Sequence, residues 1–155
     1  MCIRDRFELK NQNNSSISPD ILKGRVAVVN FLSENDSIAK YQADRIGKVQ
    51  QNYRNTDDVL FLTFIHSNEN ITLLNKASEL GISDHKRWFL LGTENEEWKN
   101  LSSNGFKIKD INKDVVLVDT SMTIRRHYDI YSNPEMDRLV EQIAIVIPKQ
   151  VRRGM

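Results

Sequence analysis

The chain has 155 residues, enough for one domain with a substantial buried core. Charged residues make up 28% and nearly cancel, 22 Lys and Arg against 21 Asp and Glu, so the clustered basic excess of a nucleic-acid footprint is missing. No apolar run reaches the length of a membrane span, and Met1 to Arg6 has no apolar signal core.

Phe7 to Leu9 alternates, and the turn-rich run Asn11 to Ser16 follows, which predicts a hairpin or an edge strand with its return. Ser18 to Leu22 reads as a single helical turn ended near Gly24. The apolar run Val26-Ala27-Val28-Val29-Asn30-Phe31 predicts a strand buried on both faces. Ala39, Ala43, Ile46, Val49 and Tyr53 then recur at steps of three and four, the spacing of one helix face. Asn35, Asp36 or Ser37 can cap this helix, because their side-chain oxygens accept the free amide hydrogens of the first turn.

Val59 to Ile65 is a second buried strand. Ile71, Leu74, Ala77 and Leu80 mark another helix, stopped by Gly81. Trp88 to Leu91 is a short strand ending at Gly92. Glu94 to Ser103 reads as a polar helix with Trp98 and Leu101 turned inward, ended by Asn104-Gly105. Val115 to Asp119 and Thr123 to Tyr128 form a hairpin around a tight turn. Asn133 as the cap, Pro134 at the first helical position and the acid Glu135 start the last helix, whose stripe is Met136, Leu139, Val140, Ile143 and Ile147, stopped by Pro148.

The early elements alternate strand and helix, which implies parallel pairing through right-handed crossovers. The late hairpin adds antiparallel pairing. The expected class is α/β, a thioredoxin-like three-layer fold with a central mixed sheet and helices on both faces. One domain spans 7–148, after a doubtful or truncated start at 1–6 and before a basic tail at 149–155, where Lys149, Arg152 and Arg153 solubilise the chain end.

Several stretches together resemble the SCO/SenC family, thioredoxin-fold copper chaperones of cytochrome oxidase assembly. They are Phe7-x-Leu9-x-Asn11-Gln12 with Ile17-Ser18; Gly24-Arg25-Val26 leading to Val29-Asn30-Phe31; and Val49-Gln50-x-x-Tyr53. Arg87-Trp88-x-x-Leu91-Gly92 follows, then Leu117-Val118-Asp119 with Ile124-Arg125 and Tyr128-Asp129. Each motif alone is weak; their order and spacing carry the likeness. Peroxiredoxins and thiol oxidoreductases of the same fold are the nearest rivals, and they also need a cysteine in the loop after Phe31.

The resemblance implies a copper site of two cysteines and one histidine. Copper(I) favours soft thiolates, and a Cys-x-x-x-Cys at a helix start puts both sulfurs on one face, where the helix N-terminus favours the thiolate. At the matching positions this chain has Asn35, Ala39 and Ile111. An amide oxygen and a methyl replace neither thiolate. Cys2 is the only cysteine, so no internal disulfide can close. The expectation is a divergent member with no copper or other cofactor, no dithiol redox chemistry and no catalytic constellation. Its role would be binding to a protein partner, an oxidase subunit or another assembly factor. By resemblance it belongs in the cell envelope, on the periplasmic side or membrane-anchored, with an anchor missing from the N-terminus.

The alternative is a rebuilt metal or redox site around His66, which follows the second buried strand, with Asp36 and Glu69 as oxygen ligands. The bland reading of His66 is a loop histidine hydrogen-bonded to its neighbours. His85 reads as solvated and His127 as part of an exposed strand face. Glu94, Glu96 and Glu97 suit a solvated helix start. Ser33 and Ser37 with His66 lack the acid, elbow and oxyanion glycine of a nucleophilic site.

Overall fold

A computed structural model describes residues 7–66, 72–93 and 95–147. The N-terminal segment holding Cys2, and Ile71, Glu69, Glu94, Pro148 and the basic tail, lie outside those residues. The first strands, β1 (Leu9–Lys10) and β2 (Ser16–Ile17), form the expected antiparallel hairpin, and a 3-10 turn follows at Pro19–Leu22. Next come β3 (Val26–Phe31), α1 (Asp36–Gln51), β4 (Val59–His66), α2 (Leu73–Leu80), β5 (Trp88–Thr93) and α3 (Asn95–Lys99). The chain closes with β6 (Asp114–Val118), β7 (Ile124–Asp129) and α4 (Asn133–Val146).

The central sheet has the order β5-β4-β3-β6-β7. β3, β4 and β5 are parallel, and β6 and β7 join them antiparallel, so the sheet is mixed as the element order implies. Alternate residues of each strand feed two cores. Val26 and Val28 meet Ala39, Ala43 and Ile46 of α1, Leu80 of α2, and Leu139 and Ile143 of α4. Ala27, Val29 and Phe31 face the other way, toward Phe7, Leu22, Trp98, Leu101 and Phe106. Helices therefore cover both faces, and the thioredoxin arrangement follows from the period-two burial of β3 and β4.

Gln12 closes one edge of the sheet. Its amide accepts from the Leu90 backbone N–H (2.9 Å) and donates to the Trp88 carbonyl (2.8 Å), so a side chain does what a neighbouring strand would do for β5.

Three local details differ from the sequence expectation. In α2 the inward stripe runs through Leu73, Ala77 and Leu80, while Leu74 is 48% exposed, because the helix begins only after Thr72. The polar helix holding Trp98 stops at Lys99 and continues as a wider π turn over Asn100–Gly105, closed by the Phe106 N–H on the Leu101 carbonyl. The cap of α4 is Ser132, whose hydroxyl accepts from the Glu135 N–H (3.3 Å), and Asn133 instead receives Arg45 Nη2.

Candidate functional site

The carboxyl ends of β3 and β4 point at one edge of the sheet, where open α/β sheets place their ligands. There the chain leaves β3 through Leu32, Ser33 and Glu34 and enters α1 at Asn35. The Asn35 backbone is extended (φ −78°, ψ 118°), and its side-chain oxygen accepts from the Ser37 N–H (3.0 Å) and the Ile38 N–H (3.1 Å). Of the three candidates Asn35, Asp36 and Ser37, Asn35 is thus the N-cap. Ala39, one turn on, is 2% exposed and packs in the core beneath α1. Ile111 lies in the facing loop and packs partly against the second core.

Gln42 joins the two loops. It is 1% exposed; its Oε1 accepts the Ser33 N–H (2.8 Å), and its Nε2 donates to the Phe31 carbonyl (3.1 Å) and the Ile111 carbonyl (2.8 Å). These three bonds all go to backbone, one at the end of β3 and two in the loops it joins. The facing loop is tightened further by Asp114, whose carboxylate accepts the Lys109 and Asp110 amides (3.0 and 3.1 Å).

His66 ends β4 on the face opposite α1. Its Nδ1 is hydrogen-bonded to Glu34 Oε1, and its ring lies 5.4 Å from that of Trp98, tilted by 41°. Trp98 in turn packs edge-on against Phe31 at 5.0 Å, and Phe31 stacks on Phe64 at 4.6 Å. An aromatic column therefore holds the histidine from below. Glu34, His66, Glu96, Trp98 and Lys99 line an open cavity of about 440 Å³. Asp36 lies apart from this group: 94% exposed at its side chain, it pairs with Lys76 of α2 at 3.6 Å. The expected neighbour of His66 is thus replaced by Glu34, which the sequence analysis passed over.

The other histidines are placed singly. His85 Nδ1 meets Gln12 Nε2 at 3.0 Å and is half-buried rather than solvated, and His127 Nε2 meets the Phe106 carbonyl at 3.0 Å. Among the described residues no group of three or more His, Cys, Asp or Glu side chains is placed to hold a metal ion, and no helix is long and apolar enough to cross a membrane. At the three positions where the resemblance puts copper(I) ligands stand an engaged amide, a buried methyl and an isoleucine, none of which is a soft donor. Gln42 was also missed. Its one signal is a polar residue on the apolar stripe, between Ala39 and Ala43.

No family model and no curated protein matches the chain. Solved structures do. A SCO1/SenC family lipoprotein from Bacillus anthracis has a TM-score of 0.77 at 20% identity, over 92% of this chain and 93% of that one. A putative protein disulfide isomerase from Bacteroides thetaiotaomicron reaches 0.76 at 15% identity, over 96% and 89%. ScoI of Bradyrhizobium japonicum, solved with copper bound, reaches 0.70 at 15% identity, over 94% and 100%. The chain has the thioredoxin fold, and SCO/SenC proteins are among its structural neighbours.

Proposed function

We propose that this protein is a binding or assembly factor of SCO-like fold that works without copper and without dithiol chemistry. The observation that supports it is the employment of the three positions where the resemblance puts ligands. Asn35 caps α1, Ala39 fills the core, and the Ile111 carbonyl is held by Gln42. A fold persists without its chemistry because activity resides in the site rather than in the scaffold. By resemblance its partner is an oxidase subunit or another assembly factor, and its place is the outer side of a membrane in the cell envelope.

The test is a copper(I) titration of the Cys2→Ser protein against a coloured chelator. The protein should leave the chelator's copper untouched. Stoichiometric withdrawal of copper would overturn the proposal.

A second reading rests on the Glu34–His66 pair, which offers one imidazole nitrogen and carboxylate oxygens, donors suited to a borderline divalent metal. It requires that zinc or nickel bind the wild-type protein and be lost in His66→Ala. A wild-type protein that binds neither metal ends it.

A further inference from the structure

The cavity at the sheet edge has a chemistry of its own. Among the described residues its lining carries two carboxylates, Glu34 and Glu96, against one ammonium, that of Lys99. The carboxylates outnumber the ammonium, which favours a cationic guest. One wall is the indole of Trp98, 8% exposed and braced from behind by Phe31, so the aromatic surface is fixed in place. The volume, about 440 Å³, falls within the range of small-ligand pockets. A planar cation satisfies all three features. A guanidinium takes a carboxylate through paired N–H donors, lies against an aromatic ring, and is more weakly hydrated than an ammonium.

We propose that this cavity receives an arginine side chain presented by the protein partner, a specification that rests on the protein-binding reading above. Glu34 and Glu96 take the guanidinium, and the Trp98 wall takes its flat face or stem. Lys99 limits the site to one cation, because a second positive charge would meet an uncompensated ammonium. Arginine anchors seated in pockets are among the residues that carry most of an interface's binding energy.

The probe is N-acetyl-arginine amide, titrated at low salt into the full chain labelled with nitrogen-15, with the two indole N–H signals as the readout. Trp88 is the internal control: it is 3% exposed and its indole N–H is bonded to Thr63 Oγ1 at 2.9 Å, so it should not move. The Trp98 signal should shift saturably. N-acetyl-citrulline amide, equal in shape but uncharged, should bind at least about tenfold more weakly, and the double variant Glu34→Gln, Glu96→Gln should weaken the arginine probe about fivefold or more. An unmoved Trp98 signal, or a citrulline probe as good as arginine, overturns the inference. So does a double variant that binds as wild type with its Trp88 signal in place. Its failure leaves the protein-binding reading standing, whereas copper(I) capture by the Cys2→Ser protein removes that reading whatever the arginine probe does.

Discussion

Gln42→Leu is the sharpest perturbation of the site's frame. Leucine keeps most of the volume beneath α1 and removes three hydrogen bonds at once, to Ser33, Phe31 and Ile111. A net bond is worth about 1 kcal/mol where water can take the partner's place, and a buried partner left unmade costs about 1–3 kcal/mol. The Ser33 amide and the Ile111 carbonyl sit at partly exposed loops, where water can follow, so the full penalty falls only on the Phe31 carbonyl, inside the core. Two bonds that water can replace at about 1 kcal/mol each, with about 1–3 kcal/mol for the Phe31 carbonyl, give an expected loss of about 3–5 kcal/mol in urea unfolding, with unchanged urea dependence. Hydrogen exchange should locate it: the Ser33 amide, held by Gln42 Oε1 in the native protein, should lose protection, while the Phe61 and Leu32 amides, bonded to Arg87 and Phe64 carbonyls, should keep theirs. A loss below about 1 kcal/mol with Ser33 still protected would refute the view that this amide joins the two loops.

Two smaller tests bear on the same frame. Asn35→Ala should cost about 1 kcal/mol by uncapping α1, and Asn35→Asp should cost little, since a carboxylate caps as well and suits the helix N-terminus; thermal unfolding checks both. Tyr53→Phe should lose about 1 kcal/mol with its bond to the Val140 carbonyl, whereas Tyr128→Phe should be neutral or stabilising, because the buried Tyr128 hydroxyl has no hydrogen-bond partner among the described residues. Burial raises both phenols above 10, so the folded state holds their protons longer than the unfolded chain does. Stability should therefore fall as pH climbs past 10, and less steeply in each phenylalanine variant, by urea unfolding across that range.

The fold was legible because its signals are periodic. The short, β-branched apolar runs of β3 and β4 suit two-sided strands, and the three-and-four spacing of α1 and α4 has one buried face each. Where a start depends on one or two residues, the sequence misled. Leu73 and Leu74 are equally apolar, and only the register set at Thr72 decides which turns inward. The π turn after Lys99 left no mark, since widening a helix by one residue changes no composition. At the site, the absent thiolates were plain in the residue types, but the partner of His66 was not. Glu34 and Asp36 are two residues apart on either side of the cap, and the chain reverses direction between them. One carboxylate is delivered to the α3 side of the sheet and the other to Lys76 of α2.

The two features of this edge fit one another physically. A loop with no ligand to hold its shape needs other partners for the backbone groups at its ends. Here those groups have partners: Asn35 takes the first amides of α1, and Gln42 takes the strand end and the facing loop. The ordering cost is thus met on folding rather than on binding, and a rigid surface loses less entropy when it meets a partner. That property suits the docking face proposed above. The Glu34–His66–Trp98 cavity lies directly beside this frame and is held by the same Phe31 column, so an anchor seated there would find its walls already in position.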